Sequence, residues 1–131
     1  MAVWHGDKGR KHTGGEIVIR RKKRKYELGR QPIHVKIGKE KKFVLRTKGG
    51  GKKIRAMSVE FANVLDPSTK KVQKTKILDV LENAANPQLV RSKIITKGAI
   101  IKTELGNARI TSRPTQHGIV NAIIVEEKKN N

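Results

Sequence analysis

The sequence predicts an all-β body of short strands, a small barrel or sandwich, behind a basic, glycine-rich and largely irregular N-terminal extension. Short β-branched runs recur between glycine, proline and asparagine turns, and no long amphipathic helical pattern separates them. Charge divides the chain as well: residues 1–55 hold 19 basic and 4 acidic side chains, whereas residues 56–131 hold 12 and 7. The predicted boundaries are an extension at 1–31, a body at 32–126 and a charged tail at 127–131.

The overall charge points to a polyanionic partner. The 131 residues include 31 Lys and Arg against 11 Asp and Glu, a net charge of +20, which is more than solubility requires. Aromatic residues make up only 3%, which argues against a protein that stacks successive bases on rings. The absence of cysteine excludes a disulfide framework and thiolate metal sites.

No segment of the sequence predicts secretion or membrane insertion. The N-terminus lacks an apolar signal region, and the longest apolar stretch, residues 119–125, is far shorter than the ~20 residues of a membrane span. We therefore expect a soluble protein with no membrane partner.

The extension contains the densest charge. Residues 1–15 show no periodicity and several glycines, so we expect them to become ordered only when a partner supplies contacts. Residues 17–19 form a small β-branched patch, and residues 20–25 are six consecutive cations. Six adjacent like charges repel one another and must face water or a polyanion, and a polyphosphate gains most because counterions are released. A solvated face or a localisation signal is the alternative interpretation.

The sequence of the first half of the body predicts short strands on either side of a glycine-rich loop. Alternation at residues 33–37 and the run at 43–45 predict strands, and the alternation of residues 57–61 predicts another. The loop at 49–53 lets backbone amides approach an oxyanion, although a flexible hairpin turn explains it equally well. It is not a nucleotide-binding P-loop, because Arg46 and Lys53 occupy positions where that motif requires Gly and Ser or Thr.

The second half predicts further strands and one ambiguous element. Residues 77–82 fit a helix face as well as a strand, and Asn86-Pro87 ends the element in either case. The short runs at 89–90, 94–95 and 99–101, and the last run at 119–125, are typical of strands joined by tight turns.

Catalytic patterns are absent from the sequence. It contains neither a Gly-x-Ser-x-Gly elbow nor a His-Glu-x-x-His motif. A metal site from His5, His12 and Asp7 is less well supported than loop histidines that donate to phosphate. Asp79 and Glu82 point to opposite faces if they lie in a strand. We therefore predict a protein that is not an enzyme and that has no cofactor, metal or small-molecule substrate.

Several motifs resemble the S8e family of small-subunit ribosomal proteins of archaea and eukaryotes. The resemblance covers nearly the whole chain. It is carried by Thr13-Gly14-Gly15, the string from Arg21 through Lys25-Tyr26-Glu27-Leu28-Gly29-Arg30, Lys36-Ile37-Gly38, Arg46 with Gly49-Gly50 and Lys52-Lys53, Asn83-Ala84, Leu89-Val90-Arg91, Thr111-Ser112-Arg113-Pro114 and Gly118-Ile119-Val120-Asn121-Ala122.

The resemblance implies a structural component of the small (30S) ribosomal subunit in the cytoplasm. It implies a β-barrel-like body, a basic extension that lies on small-subunit ribosomal RNA, and neighbouring small-subunit proteins as further partners. It favours a strand at 77–82, and the compact length implies an archaeal member. Val35 stands where the family leads us to expect threonine. The alternatives are a ribosome-assembly factor that binds pre-ribosomal RNA and, with less support, an RNA-processing enzyme.

The predicted RNA contacts combine cations, glycines and one aromatic ring. The cations neutralise phosphates, the glycines permit close backbone approach, and Tyr26 either stacks on a base or sugar or packs against Leu28. The predicted RNA-binding residues are Arg10, Lys11, His12, Gly14, Gly15, Arg20, Arg21, Lys22, Lys23, Arg24, Lys25, Tyr26, Arg30, Gly50, Lys52 and Lys53.

Overall fold

The computed structural model describes residues 2–7 and 9–125. The chain divides into two compact units, one up to Pro32 and one from Ile33 onwards. Strands dominate the described residues, and each of the two α-helices is a single turn. The predicted tail at 127–131 lies outside the described residues.

The first unit is a loop closed by a short ladder. Strand β1 (Val3–Trp4) pairs antiparallel with β2 (Leu28–Gly29), and a 3-10 turn at Lys25–Glu27 leads into β2. The backbone N–H of His5 extends the ladder by donating to the carbonyl of Glu27 at 2.9 Å. The extension is therefore irregular over most of its length but closed at its base.

The second unit consists of a closed five-stranded barrel and a four-stranded sheet. The strand order around the barrel is β10-β11-β6-β7-β9, and the order in the sheet is β4-β5-β3-β8. Most pairings are antiparallel, but β11 pairs with β6 and β3 pairs with β5 in parallel. The elements are β3 (Val35–Ile37), β4 (Lys41–Arg46), a 3-10 turn (Lys48–Gly50), β5 (Lys52–Val59), β6 (Phe61–Leu65), β7 (Val72–Glu82), α1 (Gln88–Arg91), β8 (Ile94–Ile95), β9 (Ile100–Thr103), β10 (Gly106–Ile110), α2 (Pro114–His117) and β11 (Asn121–Ile124).

Small and β-branched side chains fill the core. Val64, Ile77, Ile101 and Ile110 are each at most 2% exposed. The interior of a small barrel is filled by side chains from its strands. Val35 joins the same core and is fully buried. This burial explains an apolar residue at the position where the family resemblance led us to expect threonine.

Residues 77–82, which fitted either a helix or a strand, lie in strand β7, as the resemblance implied. Its pairing with β9 shifts register twice, between Ile77 and Asp79 and between Val80 and Glu82. Each shift leaves a leucine, Leu78 or Leu81, outside the ladder and about half exposed. Such bulges insert one residue into a strand, so the buried positions fall three apart and imitate a helix.

Two predicted strands were wrong in detail. Residues 57–61 are not one strand: β5 ends at Val59 and β6 begins at Phe61, because the chain leaves one sheet and enters the barrel. The run at 89–90 lies in α1. At the start of this helix the Asn86 side chain accepts a hydrogen bond from the Gln88 backbone N–H at 2.9 Å. Asparagine favours such local bonds, and two apolar residues do not distinguish a strand from a helical turn.

Candidate nucleic-acid interface

A tight exposed turn presents the first group of predicted contacts. The backbone N–H of Lys11 donates to the Gly15 carbonyl at 2.8 Å, and the N–H of Gly14 donates to the Lys11 carbonyl at 2.9 Å. The Arg10 guanidinium lies 3.4 Å from the Gly14 carbonyl, and His12 is exposed. The backbone bonds place the side chains of Arg10, Lys11 and His12 on the outside of one turn, where they can meet a phosphate.

The six cations of the run are not equivalent. Arg21 forms a bidentate ion pair with Glu27, and the Arg24 backbone N–H donates to the same carboxylate at 2.9 Å. The bond from Arg21, followed by that from Arg24, holds the pKa of Glu27 below its ordinary value. Within the described part of the extension, no other cation forms an ion pair. Arg20, Lys22, Arg24 and Lys25 therefore present uncompensated charge to solvent.

The aromatic side chains of the extension behave differently from each other. The Lys23 ammonium lies 5.4 Å from the centroid of the Trp4 ring, which is a cation–π contact within the unit. Tyr26 is 73% exposed, which favours an available ring over the packing role against Leu28. Arg30 is also exposed, one residue beyond β2.

Gly29 leaves room for the His5 imidazole beside the ladder that closes the extension. A Cβ at this position would lie 1.8 Å from His5 Nε2. Real side chains do not approach so closely, so a larger residue would displace the imidazole or separate β1 from β2. The glycine of the Gly29-Arg30 pair therefore has a packing role.

The second unit contributes a basic hairpin, formed by β4 and β5. Its turn is closed by the Thr47 N–H, which donates to the Gly51 carbonyl at 2.7 Å. Gly50 lies in this turn, and Lys52 and Lys53 begin β5. The register places Lys52 directly opposite Arg46. Like charges opposite each other destabilise a hairpin unless an anion binds them.

The hairpin adds cations that were not among the predicted contacts. Arg46, Lys48 and Lys41 are exposed, and Arg55 is half-buried opposite Phe43. Within the described residues, Lys42 is the one hairpin cation with an ion pair, to Glu40. The signal was present in the sequence as cations flanking the 43–45 run. Only the β4–β5 register shows that these cations all belong to one hairpin.

The predicted contacts thus divide between the units. Those from Arg10 to Arg30 belong to the first unit, whereas Gly50, Lys52 and Lys53 belong to the hairpin of the second. Each set brings cations together, with few carboxylates to neutralise them.

Among the described residues, no three or more His, Cys, Asp or Glu side chains lie close enough together to hold a metal ion. The two α-helices of this part of the chain are single turns, and neither could span a bilayer.

Comparison with known proteins identifies the family. The family model for ribosomal protein S8e matches residues 4–125. Small ribosomal subunit protein eS8 of Methanocorpusculum labreanum is 51% identical over 124 residues, which cover 95% of this chain and 99% of that protein. The proteins of the same name from Methanoculleus marisnigri and Methanospirillum hungatei are each 48% identical, over 93% and 94% of this chain and 98% of each relative. The resemblance seen in the sequence is therefore confirmed, and the chain belongs to the ribosomal protein S8e family.

Proposed function

We propose that this chain is a structural, non-enzymatic constituent of the small ribosomal subunit and that it binds ribosomal RNA through the basic extension and the β4–β5 hairpin. Family membership supports the ribosomal role. One observation carries the RNA contacts: within the described residues, the exposed cations of both elements have almost no carboxylate partners. Phosphates would supply the missing negative charge, and their counterions would be released.

The proposed contacts position RNA rather than read its sequence. Lysine and arginine ammonium and guanidinium groups bind phosphate oxygens, which are the same at every nucleotide. In the extension these are Arg10, Lys11, Arg20, residues 22–25 and Arg30, with His12 as a further donor. Gly14 and Gly15 leave the backbone of the exposed turn open to close approach. Arg21 has a different role, because its guanidinium is engaged by Glu27.

The two units would have different roles in RNA binding. Residues 1–31 would form the main RNA-binding element, and the barrel would hold the hairpin at a fixed geometry. Neighbouring small-subunit proteins would contact other faces of the body, residues 32–126. The ribosome is the site of action, in the cytoplasm of an archaeal cell.

Salt dependence tests the RNA contacts. Binding of the full chain to a small-subunit ribosomal RNA fragment, followed by fluorescence anisotropy, should weaken roughly a thousandfold between low and physiological salt. Replacing Lys22 and Lys25 with glutamine should reduce the steepness of that response. The matched control replaces Lys76 and Lys93, whose ammonium groups already lie 3.2 Å from Glu60 and Asp79, and should change it less. A response that is flat in the wild type would contradict the proposal.

Occupancy distinguishes a constituent from an assembly factor. A structural constituent remains on mature small subunits at one copy each, whereas an assembly factor is found only on precursors. Quantitative mass spectrometry of gradient-purified subunits measures this ratio.

A further inference from the structure

The outer wall of the barrel carries a small hollow beside an exposed aromatic ring. The hollow has a volume of about 170 Å³ and lies where the end of β5, the start of β6 and the segment before β11 meet. Ile119 and Val120 line it together with Phe61, Asn63 and Lys74. It is smaller than the ~300 Å³ at which pockets for drug-sized ligands begin, so it suits one small group.

The ring and its cation form the first half of the hollow. Phe61 is 40% exposed, although the barrel core nearby is closely packed. The Lys74 Nζ lies 4.8 Å from the centroid of the Phe61 ring. Within the described residues Lys74 has no ion pair. The Lys74 ammonium therefore covers one face of this ring, and its charge also acts on the carboxylate of Glu40.

The amide of Asn63 forms the second half. Asn63 lines the hollow, and its Nδ2 donates to the Oδ1 of Asn121, its register partner on β11, at 3.2 Å. This bond fixes the orientation of the Asn63 amide. Within the described residues the Asn63 Oδ1 accepts no side-chain bond, so it offers a hydrogen-bond acceptor at the edge of the hollow.

The charges around the hollow favour an anionic guest. Glu40 also lines the hollow, but Lys42 pairs with it, and Lys76 is paired with Glu60 at 3.2 Å. These pairs cancel and leave the charge of Lys74. A guest that uses every feature has a planar π-system, a polar edge with donors and acceptors, and an attached negative charge. A nucleotide of single-stranded RNA has all three.

We propose that this hollow binds one unstacked nucleotide of RNA, with its base on the Phe61 ring. The base takes the place of the Lys74 ammonium, its polar edge donates to the Asn63 Oδ1, and Lys74 moves to the adjoining phosphate. An exposed cation–π contact is weaker than base stacking, so the exchange is favourable. The inference rests on the RNA-binding function proposed above and adds a base contact on the barrel to the phosphate contacts described there.

The test compares a short single-stranded oligoribonucleotide with an abasic ribose-phosphate strand of the same length. Both carry the same phosphates, so their difference in affinity measures base contacts alone. Phe61→Leu keeps an apolar side chain but removes the ring. Phe43→Leu is the matched control, because Phe43 is the only other phenylalanine of the chain and is similarly exposed, at 48%.

We expect Phe61→Leu to weaken binding of the base-containing strand by about tenfold and to leave binding of the abasic strand unchanged. Phe43→Leu should not reproduce this selective loss. In the wild-type protein, NMR signals of the Phe61 ring and the Asn63 side-chain amide should shift with the base-containing strand and not with the abasic strand. The NMR result decides the question if Phe61→Leu fails to fold.

Several results would overturn the inference. They are an unchanged preference for bases in Phe61→Leu, a selective loss in Phe43→Leu alone, or wild-type NMR shifts that are the same with both strands. With any of these results, binding of the abasic strand that weakens steeply with salt would still support the RNA-phosphate contacts under the proposed function. Salt-independent binding of both strands would remove both proposals.

Discussion

The guanidinium of Arg21 forms a bidentate ion pair with the carboxylate of Glu27. Nη1 lies 3.0 Å from Oε2, Nη2 bonds to Oε1, and the Arg24 backbone N–H shares Oε2. The carboxylate of Glu27 thus connects the start of the basic run to the turn that enters β2. A run of cations would otherwise straighten by self-repulsion. The contact between Arg21 and Glu27 therefore fixes the turn that carries residues 22–25.

Glu27→Gln should open this part of the extension. The amide cannot form the bidentate charged pair, so we expect trypsin to cleave at residues 20–25 a few times faster than in the wild type. The melting temperature of the body should not change. Glu16→Gln is the control, since it removes the same charge from an exposed side chain with no ion pair in the described structure. Equal acceleration in both variants would show that net charge, not the pair, controls cleavage.

Acid should open the same loop in the wild-type protein. The pKa of Glu27 is lowered from its ordinary 4.5, first by the bond from Arg21. A lowered folded-state pKa means that the ordering is fully present above pH 4.5 and is lost as pH falls through the lowered value. Amide exchange of the Arg24 N–H, corrected for intrinsic rate, should report the loss. In Glu27→Gln this acid-induced step should be missing, and its persistence would assign it to another group.

The hairpin cations should contribute separately to the salt response. Lys52→Gln or Lys53→Gln should each reduce the slope of log K against log salt by roughly 0.7 to 0.9, the value of one phosphate contact. Lys93→Gln, whose ammonium is paired with Asp79, is the control. Anisotropy titrations at several salt concentrations give the slopes. If the hairpin variants match the control, the hairpin does not contact phosphate and the extension carries the binding alone.

The sequence predicted the family and an all-β, barrel-like body more reliably than it predicted individual strands. Alternation placed Met57, Val59 and Phe61 on one face, yet Val59 is 5% exposed whereas the other two are about 40% exposed. The partners of Lys41 and Lys42 are Ser58 and Ala56, so Met57 is an extra residue in a bulge. A bulge reverses the facing of every later side chain, and no local pattern marks it.

The candidate site was predictable where charge density alone defines it. Six adjacent cations identify the extension without any knowledge of the fold. The role of Arg21 was not predictable, because it depends on a turn that brings residue 27 back to residue 21. The hollow at Phe61 was not predictable either, because only the pairing of β6 with β7 and β11 brings Lys74 and Ile119 to the same hollow.

Gly118 should be the glycine of the body that tolerates substitution least. It ends α2 with a φ of 74°, and a Cβ there would lie 2.7 Å from the Ile54 Cγ2 on the hairpin strand β5. Gly118→Ala therefore meets left-handed strain and overpacking together, about 2 to 5 kcal/mol, which should lower the melting temperature by roughly 10 °C or more.

Gly98→Ala is the matched control for Gly118→Ala. Gly98 has a similar φ of 84° but open space around it, so the substitution adds only strain, about 1 to 2 kcal/mol. Thermal unfolding followed by circular dichroism compares the two. Removing the obstructing methyl with Ile54→Ala should make the double variant more stable than additivity allows. If Gly118→Ala and Gly98→Ala lower the melting temperature equally, the space around Gly118 does not matter. If the effects of Gly118→Ala and Ile54→Ala on stability simply add, the two residues are not in the tight contact that the structure shows.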